Sequence, residues 1–583
     1  MGPAAAGERG APATVVVALC SDTLGRPDLA LDLGAVSAAL CGQDTAARVV
    51  AVKDLCARFS DLAEVVRLGP AVRVVVGCSR ARERGQRIRN VLRGAGMHPS
   101  GVRVVDLSPA PRAEPARAGE QGVARLRAAI ARVSAARTAA PVEERAESLA
   151  NAAVSRRDLF RLTGPPPHPV AIWSADCCDG RGPARPCTEV CPHGALAVVA
   201  SRVGVDAARC TGCGACVRAC RSGAMTLNGA SMEELEAEAN CLSQDARKLG
   251  LGIAVVCAEA EVGSYAGGSW LPLEVPSLEM VTVGWVLQVL AAGVPVAIAG
   301  CEKRACAARA VATSQFASAL LGKVAPELAH LVSGPESLRR TSRREGRTLP
   351  LYPSTVPRPP SHFLQIRLSE PEATVLAVRQ LTSDRPLDRQ LDGAGAKSWR
   401  LESPVAPLGD VEVDIGRCSG CQCCTEACPS SALSVGGGGA TARGLIFDPS
   451  ACSGCAACAK GCPERAISVA RAVSSAVLTG RKRVIARISG PAPARMPAAE
   501  LCRLCGGPLP SSSVTGAVAD RLAVSHPEVA SRLRARDRCE HCLTAAGSLT
   551  GLPSSGRHGG GASTRWRASG PPVASGPCAE LFG

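Results

Sequence analysis

Short apolar runs recur through the first hundred residues, each set between polar, helix-prone stretches. TVVVALC ends at Cys20, RVVVGC ends at Cys78, and GVRVVDLS occupies 101–108. The runs are β-branched and return after roughly 25–30 residues, which predicts a small α/β unit with parallel strands. The pattern comes back further on. SMEELEAEANCLSQDARKL reads as a helix, LGIAVVC as a strand ending at Cys257, SLEMVTVGWVLQVLAAG as a helix, and VPVAIAGC as a strand ending at Cys301. Residues 12–135 and 231–335 are therefore expected to form two such units.

The stretches between are of other kinds. Residues 110–168 are rich in Ala, Arg and Glu and then in Pro (GPPPHP), which predicts a helix followed by a linker over 136–169. SRRDLFR (155–161) has the look of a twin-arginine export signal, but it is internal and no apolar run follows, so it reads as the start of a surface helix. Residues 336–410 are polar with Arg and Pro clusters and read as an irregular linker. From 547 to 583 the tail (SSGRHGGGASTRWRASG) reads as disordered.

Composition adds the decisive feature, 30 cysteines in 583 residues. Disulfide scaffolds are small and thin-cored, whereas this chain is 46% hydrophobic and long enough for about four domains. The N-terminal MGPAAAGERGAPATVVVALC lacks a basic region leading into a long apolar one, so it reads as a strand start rather than a signal peptide. No stretch approaches the ~20 apolar residues of a membrane span. The expected compartment is a reducing cytoplasm, where clustered thiols point to metal. The net charge is +16, carried mostly by Arg. An Arg-rich surface that binds nucleic acid is the alternative function it raises. Aromatics make up only 2% of the chain and leave few platforms for stacking bases, which disfavours that alternative.

Residues 418–429 read CSGCQCCTEACP and residues 452–463 read CSGCAACAKGCP. Without the extra Cys423, both are C-x-x-C-x-x-C-x-x-x-C-P. Three thiolates on a tight turn converge on one iron–sulfur cube, and the fourth serves the neighbouring cluster. The expected ligand sets are Cys418, Cys421, Cys424 and Cys462 for one [4Fe–4S] cluster, and Cys452, Cys455, Cys458 and Cys428 for the other. Zinc would favour paired C-x-x-C motifs instead. Residues 411–470 are thus expected to be a two-cluster ferredoxin module.

CTGCGACVRAC and the preceding CCDGRGPARPCTEVCP make a variant of the same module over 170–228. Cys210, Cys213, Cys216 and Cys191 form its regular set. Cys177, Cys178, Cys187 and Cys220 form an irregular one, with two adjacent ligands and a long loop. LCRLCGG (Cys502, Cys505) and DRCEHCL (Cys539, Cys542) are two C-x-x-C pairs within 500–545, the arrangement of a zinc ribbon. Cys41, Cys56, Cys241, Cys423 and Cys578 have no assigned role. The strand-end thiols Cys20, Cys78, Cys257 and Cys301 stand where parallel sheets gather ligands, or are ordinary buried cysteines. The fold class expected overall is multidomain α/β and α+β: small parallel α/β units, two ferredoxin-like modules and a zinc ribbon.

Residues 251–310 resemble the delta-subunit family of methyl-viologen-reducing hydrogenase, the hydrogenase iron–sulfur subunit, through IAVVC, VPSLEMV, LAAGVPVAIAGC and the later Cys306. The resemblance implies a [2Fe–2S] cluster whose ligands include Cys257, Cys301 and Cys306, and electron transfer from hydrogenase or formate dehydrogenase to heterodisulfide reductase. Ser277 stands where that family carries a further Cys, and AEAE follows Cys257 where it carries another. Residues 14–108 resemble the N-terminal region of the heterodisulfide reductase A polypeptide through VVVALC, VKDLC and VVVGCSR. No G-x-G-x-x-G follows a strand, so neither FAD nor NAD is expected to bind this chain. No nucleophile–base pair, phosphate loop or substrate pocket is evident. The expected function is a non-catalytic electron-transfer subunit of a cytoplasmic oxidoreductase complex. Its partners would be a hydrogenase, a formate dehydrogenase, or a flavin or heterodisulfide reductase-like subunit.

Overall fold

In the computed structural model the described residues are 15–40, 47–53, 73–94, 97–109, 114–136, 169–174, 186–199, 202–220, 223–257, 269–301, 303–335, 368–382, 399–436, 443–478, 482–488 and 526–534, with single residues 55, 178, 364, 365, 519 and 523. The chain separates into two compact units, 1–491 and 492–583. In the second unit the helix Pro527–Arg534 is described. No helix among the described residues is long and apolar enough to cross a membrane.

The first apolar runs form the expected parallel sheet. β1 (Val15–Cys20), β2 (Ala47–Val52), β3 (Arg73–Cys78) and β4 (Val102–Asp106) lie in the order β2-β1-β3-β4. Every pairing is parallel. β1 is buried along its whole length, as a central strand covered on both faces must be. The helix Pro115–Ala135 covers one face through Leu126, Ala129 and Val133.

The ferredoxin-like segment that follows is small. β5 (Ala171–Trp173) pairs antiparallel with the later β8 (Met225–Leu227), and β6 (Leu196–Val199) with β7 (Arg202–Val205).

A second parallel sheet holds β9 (Gly252–Cys257), β10 (Trp270–Val275), β11 (Val296–Ala299) and β12 (Val332–Ser333) in the order β10-β9-β11-β12. The helix Met232–Leu249 precedes it. Ser231 caps that helix by accepting the N–H of Glu234 at 3.2 Å, acids fill its first turn, Arg247 and Lys248 its last, and Gly250 ends it in the left-handed region. The stretch expected as one helix from Ser277 onward is instead divided. A 3₁₀ turn occupies Leu278–Met280, and the helix runs Val283–Ala291. The reason is a pair of caps: Ser277 Oγ accepts the Glu279 N–H and Thr282 Oγ1 accepts the Trp285 N–H.

The two parallel sheets are tied by buried charge. Arg132, on the helix of the first sheet, pairs with Glu238 and donates to the carbonyls of Glu274 (3.0 Å) and Gly229 (3.1 Å). Arg103 reaches Glu274 at 3.2 Å and Glu238 at 3.4 Å. Buried ions survive only when so fully partnered.

The segment 336–410, expected to be irregular, contains ordered structure. The helix Glu370–Leu381 starts at a capping box in which Ser369 and Glu372 satisfy each other's backbone. β13 (Arg400–Glu402) and β14 (Gly409–Val413) flank β17 (Ile467–Ser474), while β15 (Leu433–Gly436), β16 (Arg443–Phe447) and β18 (Arg483–Ile488) form a further antiparallel sheet.

Candidate metal centres

Each cysteine motif folds as the same backbone device. Two residues after the first Cys the chain takes a left-handed φ: Gly212 (70°), Gly420 (71°) and Gly454 (66°). Four residues after it the chain does so again, at Gly214 (73°), Gln422 (64°) and Ala456 (58°). Alternation of this kind turns successive N–H groups toward one side, which makes a concavity suited to an anionic iron–sulfur centre. That Gln422 and Ala456 accept a conformation uncommon for non-glycine residues marks how firmly the turn is held.

The remote cysteines share a second device. Three residues after Cys191, Cys220, Cys428 and Cys462 stand Gly194, Gly223, Ser431 and Arg465, all with positive φ. The turn is closed by N–H···O bonds from Gly194 to Cys191 (3.2 Å), Ser431 to Cys428 (3.2 Å) and Arg465 to Cys462 (3.1 Å). The next amide then donates to the sulfur itself: Ala195 to Cys191 Sγ (3.3 Å) and Ala466 to Cys462 Sγ (3.4 Å). Met225 does the same for Cys220 Sγ at 3.3 Å.

Three hollows result. One, of about 380 Å³, is lined by Cys418, Cys421, Cys424 and Cys462. A second, of about 300 Å³, is lined by Cys428, Cys452, Cys455 and Cys458. The third, of about 320 Å³, is lined by Cys191, Cys210, Cys213 and Cys216. The structure thus brings the predicted quartets together crosswise, with the remote cysteine of one motif beside the three near ones of the other. Leu445 and Ile467 wall the first hollow, Val411 and Phe447 the second, Leu196 and Leu227 the third.

The central sulfur of each quartet cannot ionise unaided. Burial, and then the crowding sulfurs around it, push Cys216, Cys424 and Cys458 up to about 12. Such a set of thiolates needs a cationic centre to neutralise it, so the donor chemistry fits [4Fe–4S] clusters. Cys423 is outside the quartet. It is buried, its thiol points to the Cys421 carbonyl at 3.9 Å, and burial followed by Cys421 raises it to about 12.

The irregular set is seen in part. Burial is the main cause raising the Cys187 thiol, and the charges of Cys220 and then Cys178 also raise it. Cys177 lies outside the described residues, as do Cys41, Cys56, Cys502, Cys505, Cys539, Cys542 and Cys578. Cys241 is in the helix Met232–Leu249, and burial raises it to about 12. Cys20 and Cys78 end the central strands β1 and β3 and are buried.

Cys257, Cys301 and Cys306 converge at the carboxyl end of the second parallel sheet. Their sulfurs all lie within 4.8 Å of one another. Hydrogen bonding by Cys257 leads the effects that lower Cys306 to about 5, with help from the Leu278 backbone and Cys301 against the opposing effect of burial. Burial is the main cause raising Cys301.

One feature was not evident from the cysteine spacing. Glu370, nearly buried, faces Arg309 at 3.8 Å and Arg471 at 4.0 Å. Arg218 bears on both arginines. It directly follows the Cys216 segment, and Arg471 acts on Cys455 and Cys452. Burial, then the neighbouring Arg218, lowers Arg309 to about 10. The node thus joins the two ferredoxin-like segments and the second parallel sheet. The segments also meet directly, through Lys460 and Glu189 at 3.3 Å.

Comparison with known proteins agrees with this geometry. The family described as "4Fe-4S binding domain" matches residues 203–226 and 445–468. No curated protein matches the chain. The matched spans contain the runs Cys210–Cys220 and Cys452–Cys462, and the chain carries two 4Fe-4S binding domains, the mark of an iron–sulfur protein of the electron-transfer kind.

Proposed function

We propose that the chain is an electron-relay subunit of a cytoplasmic oxidoreductase complex. Cys418, Cys421, Cys424 and Cys462 would hold one [4Fe–4S] cluster, Cys452, Cys455, Cys458 and Cys428 a second, and Cys210, Cys213, Cys216 and Cys191 a third. Cys178, Cys187 and Cys220, with Cys177, are the ligands proposed for a fourth. Cys502, Cys505, Cys539 and Cys542 are proposed for a zinc ribbon. The observation that carries the reading is the crosswise lining of three hollows by four cysteines each.

A [4Fe–4S] cluster held by such a quartet would supply one-electron redox chemistry. The remaining work is done by the protein. Apolar side chains of Val411, Phe447, Leu196 and Leu227 wall the hollows beside the sulfurs. Backbone amides at Ala195, Met225 and Ala466 stabilise the more reduced, more negative state. Arg218 and Arg471 set positive charge beside both segments, favouring electrons that pass between them. The Lys460–Glu189 contact supports a short path from one segment to the other.

The partners proposed from the resemblance of residues 251–310 and 14–108 are a hydrogenase or formate dehydrogenase as donor and, as acceptor, a flavin or heterodisulfide reductase-like subunit. Stopped-flow reoxidation of the chemically reduced full chain by a one-electron viologen acceptor tests the relay. Rapid phases that carry one electron per cluster are expected, and Cys428→Ala should remove one of them. A chain that cannot be reduced at any accessible potential would refute the reading.

A further inference from the structure

Cys257 ends β9, Cys301 follows β11 after Gly300, and Cys306 lies in the first turn of the helix Arg304–Val324. All three are buried. We propose that this trio binds a single thiophilic metal ion of the zinc class through three thiolates, with its fourth coordination position turned into the cleft that the three residues line.

The spacing of the sulfurs carries the inference. A tetrahedral zinc with bonds of about 2.3 Å holds its thiolates roughly 3.8 Å apart. The trio lies within 4.8 Å throughout, and among the described residues no other group of three Cys, His, Asp or Glu ligand atoms is so close. In the ferredoxin quartets, by contrast, no three sulfurs come within that distance of one another. The trio is spaced for one ion and the quartets for a cube.

A [2Fe–2S] centre fits the trio poorly. Its two irons take two thiolates each, so any three thiolates straddle both irons and at least one pair must stand well apart. A fourth thiolate would also be needed. Ser277 occupies that neighbourhood, and its hydroxyl accepts the Glu279 N–H at 3.3 Å to cap the 3₁₀ turn.

Three protein ligands with one position open is the arrangement of zinc sites that bind an exogenous group, whereas structural zinc is closed by four. Here the open side is a cleft of about 1760 Å³ including its mouth, bordered by Cys257, Cys301, Cys306, Ser277, Thr211 and Cys213. The ligand class that suits the position is a small thiolate or other soft anion. Cys213 brings the lining of a four-cysteine hollow to the same cleft. The inference does not depend on the relay reading, because the trio is separate from every quartet.

Zinc, iron and acid-labile sulfide counted in the anaerobically purified full chain test it. The variants are Cys301→Ser, Cys306→Ser and the ribbon quadruple Cys502→Ser/Cys505→Ser/Cys539→Ser/Cys542→Ser. Each trio variant should lose one zinc per chain with iron and sulfide unchanged. The ribbon variant, which leaves the trio intact, should retain one zinc, with three sulfur neighbours by zinc-edge X-ray absorption. Cobalt(II) added to that variant after its zinc has been removed by a chelator should show tetrahedral thiolate bands that Cys306→Ser abolishes. Loss of two irons and two sulfides from a trio variant would overturn the proposal in favour of a [2Fe–2S] cluster. A ribbon variant that is free of zinc and fails to bind cobalt would overturn it outright. Unchanged electron-paramagnetic signals from the ferredoxin segments show that the variants have folded, and loss of those signals in the wild type would count against the relay alone.

Discussion

Gly409 lies directly against Gly454. A Cβ at position 409 would stand 2.5 Å from Gly454 Cα and 2.8 Å from Cys452 Sγ. The contact holds the start of β14 on the turn that presents Cys452 and Cys455, and the Gly409 N–H donates to the Cys452 carbonyl at 3.0 Å. Gly409→Ala should therefore push the turn away at a cost of about 1–3 kcal/mol. The expected outcome is selective loss of one cluster's iron, read by iron count and by the visible spectrum, with the other clusters retained.

Cys423 and Cys424 are adjacent and should behave oppositely. Cys424 lines a hollow with three other cysteines, whereas Cys423 points to a carbonyl outside it. Cys423→Ala should keep full iron and sulfide and cost about 1 kcal/mol of stability, the loss of a small buried side chain. Cys424→Ala should lose or convert one cluster. Equal iron loss from both variants would contradict the assignment.

Glu370 is the carboxylate between Arg309 and Arg471. Replacing it with Gln removes the one carboxylate that Arg309 and Arg471 share, and breaking a buried pair on one side costs about 3 kcal/mol. Glu370→Gln should lower the anaerobic thermal midpoint by several degrees while cluster content at low temperature is kept. Arg309→Met together with Glu370→Gln should recover part of the loss.

Glu234 supplies a pH test. Burial raises its carboxyl above the ordinary 4.5, against the lowering influence of Arg132. A carboxyl with a raised folded value stabilises the fold below pH 4.5, and that contribution is lost as pH rises through the folded value. Glu234→Gln removes the titration. The stability of the variant relative to wild type should rise as pH increases above about 4.5, as measured by urea unfolding. A constant difference across that range would contradict it.

The cysteine architecture was legible in the sequence because it is local. Three near ligands lie within seven residues, so their spacing states the turn, and the offset of the fourth states the crosswise exchange that places Cys462 beside Cys418, Cys421 and Cys424. The parallel sheets were legible for a similar reason, since runs such as VVVALC and GIAVVC are continuous apolar strands. Other features depend on contacts that no window contains. The helix Glu370–Leu381 sits among Arg- and Pro-rich residues, and only the Ser369–Glu372 capping box announced it. The break at Thr282 was hidden inside an apolar run that reads as one helix, although Ser277 and Thr282 were cap residues in plain sight. The Arg218–Arg309–Arg471 node and the close meeting of Cys257, Cys301 and Cys306 join residues from separate elements, so they emerge only once the elements pack.

The central claim is that the three cysteine quartets hold iron–sulfur cubes. Iron and acid-labile sulfide counted together in the anaerobically purified full chain, with electron-paramagnetic spectra after chemical reduction, test it most directly. The account predicts a brown protein with iron and sulfide in equal amounts, at least twelve of each per chain, and signals from reduced, mutually interacting clusters. A colourless protein, or one whose quartets carry zinc and no labile sulfide, would contradict it.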